Sequence, residues 1–221
     1  MVESNQSKDP NDFVDLGRGD IRNSATSYNT YAGNPEKILE IGSGDGRFTK
    51  ELMRLAPNAQ IEVIDIDEEF MAKCREATSN KLTYHVASAH DLPEVVKAKK
   101  YDVIWIQGLA QYFPDAQFKE FLESLKNILS PNGKIFLKEQ FNCGKTVYVK
   151  DSYIRSLRCF EDAFGGYSVT MDNIYSFDKK YYSWITFVLE HAGEEEKWSG
   201  NCHRQCDCYW INKHFDCRGK Q

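Results

Sequence analysis

Two hydrophobic rhythms alternate along the chain between residues 37 and 190. Short apolar runs at 37–41, 60–64, 82–86, 101–106 and 134–138 are too brief for helices and read as strands. The run Tyr101-Asp102-Val103-Ile104-Trp105-Ile106 is nearly continuous, as a strand covered on both faces requires. Between these runs, apolar residues return every third or fourth position, which predicts helices over 47–56, 67–78, 115–129 and 152–164. Pro57 stops the first of these, Asp67 is placed to cap the second, and Gly165-Gly166 ends the last. In the helix over 115–129, Phe118, Phe121, Leu122, Leu125, Ile128 and Leu129 form one apolar stripe. Ser130-Pro131-Asn132-Gly133 reads as a turn, and 167–174 and 181–190 read as two closing strands. Seven strands alternating with helices predict an α/β fold with a doubly wound, mostly parallel sheet. Residues 1–35 form a polar N-terminal segment or lid, 36–190 the domain, and 191–221 a Cys/His-rich tail.

Candidate chemistry gathers on one edge of that sheet. The run Ile38-Leu39-Glu40-Ile41 leads into Gly42-Ser43-Gly44-Asp45-Gly46-Arg47, a strand, a tight turn and a helix start. Glycines let the backbone approach a ligand closely. Asp65 stands 23 positions after Gly42, at the end of the next strand, where an acidic residue is placed to hold a ribose diol. The loop has neither dinucleotide spacing nor a phosphate-binding Gly-Lys-Ser/Thr ending. A fixed charge at Glu40 opposes phosphates and suits a cation. S-adenosylmethionine carries a sulfonium and an ammonium, and its carboxylate suits the helix N-terminus, with Arg47 beside it. Ala89-His90 follows the third strand, where the loop passes an adenine, and Gln107 follows the fourth, facing the methionine moiety or an incoming amine. Tyr112, Asp115, Glu139, Gln140 and Asp151 are candidates to orient or deprotonate an acceptor.

Composition narrows the classes. The 221 residues suffice for one core, and 41% hydrophobic with 28% charged residues is the balance of a globular protein. A net charge of −5 leaves no general nucleic-acid footprint, and the absence of a long apolar run argues against a membrane span. The polar start lacks a signal-peptide core, so a cytoplasmic or nuclear location is expected. Seven cysteines are present, four of them in the last twenty residues. Cys202, His203, Cys206, Cys208, His214 and Cys217 lie close enough in sequence to bind zinc but fit no standard zinc spacing; a packed or free tail with reduced thiols is the other reading, and no metal is assigned.

Leu39-Glu40-Ile41-Gly42-Ser43-Gly44-Asp45-Gly46 resembles motif I of class I AdoMet-dependent methyltransferases. Asp102-Val103-Ile104-Trp105-Ile106-Gln107, the helix after it and Leu129-Ser130-Pro131-Asn132-Gly133 are similar to the protein α-N-terminal (X-Pro-Lys) methyltransferases, as is Gly46-Arg47-Phe48-Thr49-Lys50. The resemblance spans about residues 38 to 160. It implies a Rossmann-like fold and cofactor contacts from Gly42, Arg47, Asp65, Ile66, Ala89, His90 and Gln107, beside Glu40, Ser43 and Gly44 of the loop. It implies that Asp151 meets the substrate amine and that Tyr112 stands where the family has a histidine. Gly108 replaces a family tryptophan and Gln140 an asparagine, and the N-terminal region is shorter than the family's helical lid. The resemblance therefore implies a protein or peptide N-terminus as methyl acceptor. Small-molecule methylation, or a silent binding subunit on the same fold, is the alternative. The oligomeric state is not legible.

Overall fold

The computed structural model describes residues 10–142, 146–149, 151–175 and 183–192. Helix α1 (Pro10–Tyr31) precedes the sheet. Then β1 (Lys37–Ile41), α2 (Arg47–Leu55), β2 (Gln60–Asp65), α3 (Glu68–Ala77) and β3 (Thr83–Val86) alternate. The short α4 (Leu92–Val96) leads to β4 (Tyr101–Gln107), α5 (Asp115–Lys126) and the long β5 (Leu129–Asn142). A hairpin of β6 (Val147–Val149) and β7 (Ser152–Ser156) follows, then α6 (Leu157–Ala163), β8 (Tyr167–Tyr175) and β9 (Ser183–His191).

Strands β3, β2, β1, β4 and β5 lie side by side and parallel, in that order. β9 runs antiparallel along β5, and β8 along β9. These are the seven strands expected, and the parallel α/β architecture stands. The hairpin brings the described strands to nine, because β7 also joins β5 at Phe141–Arg155 and Asn142–Ser156. The expected helix over 152–164 is therefore half wrong. Its first five residues form β7, and the helix starts only at Leu157, where the Ser156 hydroxyl caps Cys159 N–H. The predicted turn at 130–133 is a slip inside the β4–β5 ladder, which pairs Tyr101 with Leu129 but Val103 with Lys134.

Alternation along the buried strands splits the core in two. Ile38, Val103, Trp105, Phe136 and Val188 face α1, α2 and α3, while Leu39, Ile104, Ile106, Leu137 and Leu189 face α5 and α6. On the first side Trp105 packs between Phe48 at 4.4 Å and Phe136 at 4.9 Å, and Tyr28 of α1 extends the stack. Asp67 caps α3 as predicted, accepting from Glu69 and Phe70 N–H. Among the described residues, no helix is long and apolar enough to cross a membrane.

Candidate functional site

The loop after β1 is shaped by its glycines. Gly42, Gly44 and Gly46 have φ of 78°, 54° and 80°, which disfavour a side chain. Gly46 has a second constraint, since a Cβ there would stand 2.8 Å from Cys74 Cα, against the α3 backbone. The loop is tied to β2 by Gly42 and Ser43 N–H, which donate to the Ile64 carbonyl at 2.7 and 3.3 Å. Asp65 Oδ2 accepts from Gly44 N–H at 2.7 Å, and its Oδ1 accepts from Asp67 N–H at 2.9 Å. Asp65 therefore clips the glycine loop while keeping lone pairs for a ligand.

A cleft of about 230 Å³ opens beside this loop, lined by Asp20, Ile21, Glu40, Gly42, Ser43, Gly44, Asp45, Arg47, Phe48, Phe70 and Gln107. Glu40 is only 3% exposed. Burial pushes its carboxyl up to about 8; Asp65 nearby adds to the rise, and a hydrogen bond with Thr49 opposes it. Glu40 Oε2 and Ser43 Oγ are buried without a hydrogen-bond partner. An orphaned buried carboxyl oxygen on a cleft wall needs a donor or a cation. Those residues fit a ligand that is cationic and rich in donors. Arg47 is well exposed and its Nε donates to Asp45 Oδ1 at 2.9 Å.

Other predicted residues lie elsewhere on the same edge. Ile66 is 71% exposed beside Asp65. Ala89 and His90 form a 3-10 turn, in which Ser88 Oγ accepts from His90 N–H and the imidazole meets the Phe113 ring edge-on at 4.8 Å. Gln107 reaches the cleft, but its amide is engaged: Nε2 donates to Asp20 Oδ2, and Oε1 accepts from Ser24 Oγ at 3.0 Å and Trp105 Nε1 at 3.3 Å. Tyr112 is 57% exposed, in a 3-10 turn after β4. Asp151 is exposed in the turn of the β6–β7 hairpin, and Gln140 is half-buried on β5 beside Trp184 of β9.

Two candidate proton acceptors are committed to scaffolding. Glu139 Oε1 accepts from Leu109 N–H at 2.8 Å and Ala110 N–H at 2.6 Å, and burial lifts its carboxyl to about 7. Asp115 Oδ1 accepts from Arg155 Nε at 2.9 Å. The fully buried Arg155 also donates to the Ala110 and Phe113 carbonyls. Glu139 and Arg155 thus grip the segment between Gln107 and α5 from both sides. Sequence reasoning missed Asp20, Lys138 and Arg155. A lysine directly following the apolar Ile135-Phe136-Leu137 of a buried strand was the available signal for Lys138. Among the described residues no cluster of His, Cys, Asp and Glu could hold a metal, and the Cys/His tail lies outside them.

Residues 38–133 match the family model of the methyltransferase domain. Sheet order and glycine loop give the chain the Rossmann-like fold that solved SAM-dependent methyltransferases share. By sequence the chain is similar to the protein N-terminal methyltransferases. It is 30% identical over 132 residues to alpha N-terminal protein methyltransferase 1 of Dictyostelium discoideum, covering 58% of this chain and 47% of that one. It is 32% identical over 136 residues to N-terminal Xaa-Pro-Lys N-methyltransferase 2 of Danio rerio, covering 58% and 48%. The chain spans about half the length of these curated relatives. A solved SAM-dependent methyltransferase from Leishmania major aligns with a TM-score of 0.67 at 21% identity, over 79% of this chain and 73% of that one, a likeness of fold.

Proposed function

We propose that this chain is an S-adenosylmethionine-dependent N-methyltransferase acting on the N-terminal amine of a protein or peptide, in the cytoplasm or nucleus. The observation that carries the cofactor assignment is the orphaned Glu40 Oε2, buried in the cleft beside the glycine loop. Names of the relatives support the acceptor class. When bound, S-adenosylmethionine supplies a methyl group already activated by its sulfonium, which leaves the protein to position and to manage charge. Glu40 offers the counter-charge, Asp65 the ribose acceptor, and Ile66, Ala89 and His90 the adenine flank. Tyr112 and Asp151 hold the acceptor amine and its proton. Isothermal titration with S-adenosylmethionine and S-adenosylhomocysteine, followed by methyl transfer to a peptide beginning Ser-Pro-Lys, tests this reading. Absence of binding to the folded protein would favour a silent methyltransferase-like subunit.

A small-molecule amine is the second reading, and Gly108 is the observation in its favour. With φ of 66° and no side chain, it leaves the turn after Gln107 bare, and the Trp184 ring lies 3.6 Å from where a Cβ would stand. Turnover of small amines but not of peptides would select it.

Glu40 makes cofactor binding a proton-coupled event. Raised to about 8, it is mostly protonated in the empty cleft at neutral pH and must ionise to face a cation. Affinity should therefore rise with pH, by up to about tenfold between roughly pH 6 and 7, where the ligand's own ammonium stays largely charged. Titrations in buffers of different protonation enthalpy should show a proton released, and Glu40→Gln should abolish that release. The same proton count in the variant would remove Glu40 from the cation site. On the acceptor side, Asp151→Asn should cut turnover by about tenfold or more while leaving cofactor affinity near wild type. Parallel loss of both would argue against a substrate role.

A further inference from the structure

Lys138, at the cleft end of β5, is fully buried and charged, and the methyl-transfer reading leaves it without a task. Its Nζ donates to Asp20 Oδ1 at 2.6 Å, to the Asp20 carbonyl at 2.9 Å and to Ser24 Oγ at 2.6 Å. Asp20 Oδ2 accepts from Gln107 Nε2, and Ser24 Oγ donates to Gln107 Oε1. Gln107 and Lys138 are ladder neighbours on β4 and β5. Four residues from three elements therefore close one polar ring. Asp20 and Gln107, two of its members, also line the cofactor cleft.

Among the described side chains of α1, the ring is flanked by a modest apolar contact: Tyr28 is buried in the core, and Ile21 and Tyr31 pack partly buried against it. Ser24, Ala25 and Ser27, also buried there, are small. Removing one partner of a buried ion pair strands the other, which is far costlier than losing a surface contact. The ring therefore adds a charged anchor to the docking of α1 at the cleft.

We propose that Lys138 is a positioning residue of the cofactor cleft: by holding Asp20 it keeps α1 across the cleft and Gln107 set along its wall. The consequence for the cofactor rests on the reading above; the docking of α1 does not.

Hydrogen exchange on the ligand-free protein separates the two. Amides of residues 20–31 report on α1, and amides of β1 and β4 report on the sheet. Lys138→Met and Asp20→Ala should each speed exchange in α1 by about tenfold or more and leave β4 unchanged, with no further loss in the double variant. Asp20→Glu, which keeps the charge, should retain most of the protection. In stopped flow, S-adenosylmethionine should dissociate about tenfold faster from both disrupted variants than from wild type. Wild-type exchange in α1 for either variant, or an equal loss in β4, overturns the proposal. Loosened α1 with unchanged dissociation would overturn its bearing on the cleft. Failure of the wild type to bind S-adenosylmethionine would instead refute the cofactor reading, while the exchange data still decide whether Lys138 docks α1.

Discussion

Asp65→Ala should lower affinity for S-adenosylmethionine by about a hundredfold or more. Two losses combine. The carboxylate accepts from Gly44 and Asp67 N–H, and so holds the glycine loop on the end of β2. A carboxylate has about four acceptor positions, which leaves two for a ribose diol. Hydrogen bonds to a charged group contribute about 1.5–3 kcal/mol each, and every 1.4 kcal/mol is about tenfold in affinity. The two ribose bonds alone therefore reach about the hundredfold level, and release of Gly44 adds to it. Asp65→Asn keeps one acceptor oxygen and should fall between wild type and alanine. Calorimetry measures all three, and an alanine variant within threefold of wild type would displace the ribose site from Asp65.

Arg155→Leu should be the most destabilising single change around the segment after β4, costing about 1–3 kcal/mol for the buried carbonyl it leaves without its donor. Its guanidinium is fully buried, bonded to Asp115 and to the Ala110 and Phe113 carbonyls, and stacked at 4.5 Å over the Phe118 ring. Leucine would fill part of the volume but take the guanidinium donor from the buried Phe113 carbonyl, while the Ala110 carbonyl would keep only its bond from Phe113 N–H at 3.2 Å. It would also remove the positive charge that draws the Glu139 carboxyl downward, so Glu139 would rise further above its present value of about 7. Urea unfolding at neutral pH gives the stability difference. A loss below about 1 kcal/mol would mean that the segment from Leu109 to Asp115 holds itself in place.

What could be read from residues was whatever depends on local pattern. Apolar runs located β1, β2 and β4, the glycines and Glu40 located the cleft, and Asp67 marked the start of α3. What escaped depends on partners far along the chain. Helix α1 was unreadable as a packed helix because its described buried face mixes Ser24, Ala25, Ser27 and Tyr28, with Asp20 at the cleft, and its polar members find Lys138 more than a hundred residues later. Residues 152–156 were read as helix because periodicity carries no information about a neighbouring strand. Arg155 is consumed by carbonyls more than forty residues earlier, so its burial has no local trace. Glu139 and Asp115 looked like acid–base candidates because a carboxylate beside a strand end is ambiguous until its backbone partners are known.

The β6–β7 hairpin meets the rest of the sheet through two ladder positions on β5, Phe141–Arg155 and Asn142–Ser156. Such a narrow seam makes the hairpin an exchangeable cartridge. Its tip, with Tyr148 and Asp151, is free to change length and chemistry without disturbing the layers beneath. Arg155 is the boundary of that freedom, since it belongs to the seam and to the segment after β4 at once. On the proposed reading, cofactor capture falls to β1, β2 and β4 and acceptor choice to this corner, which would make the two separable for evolution and for protein engineering. A grafted hairpin that preserves Arg155 should retain the cofactor half intact and redirect the methyl group.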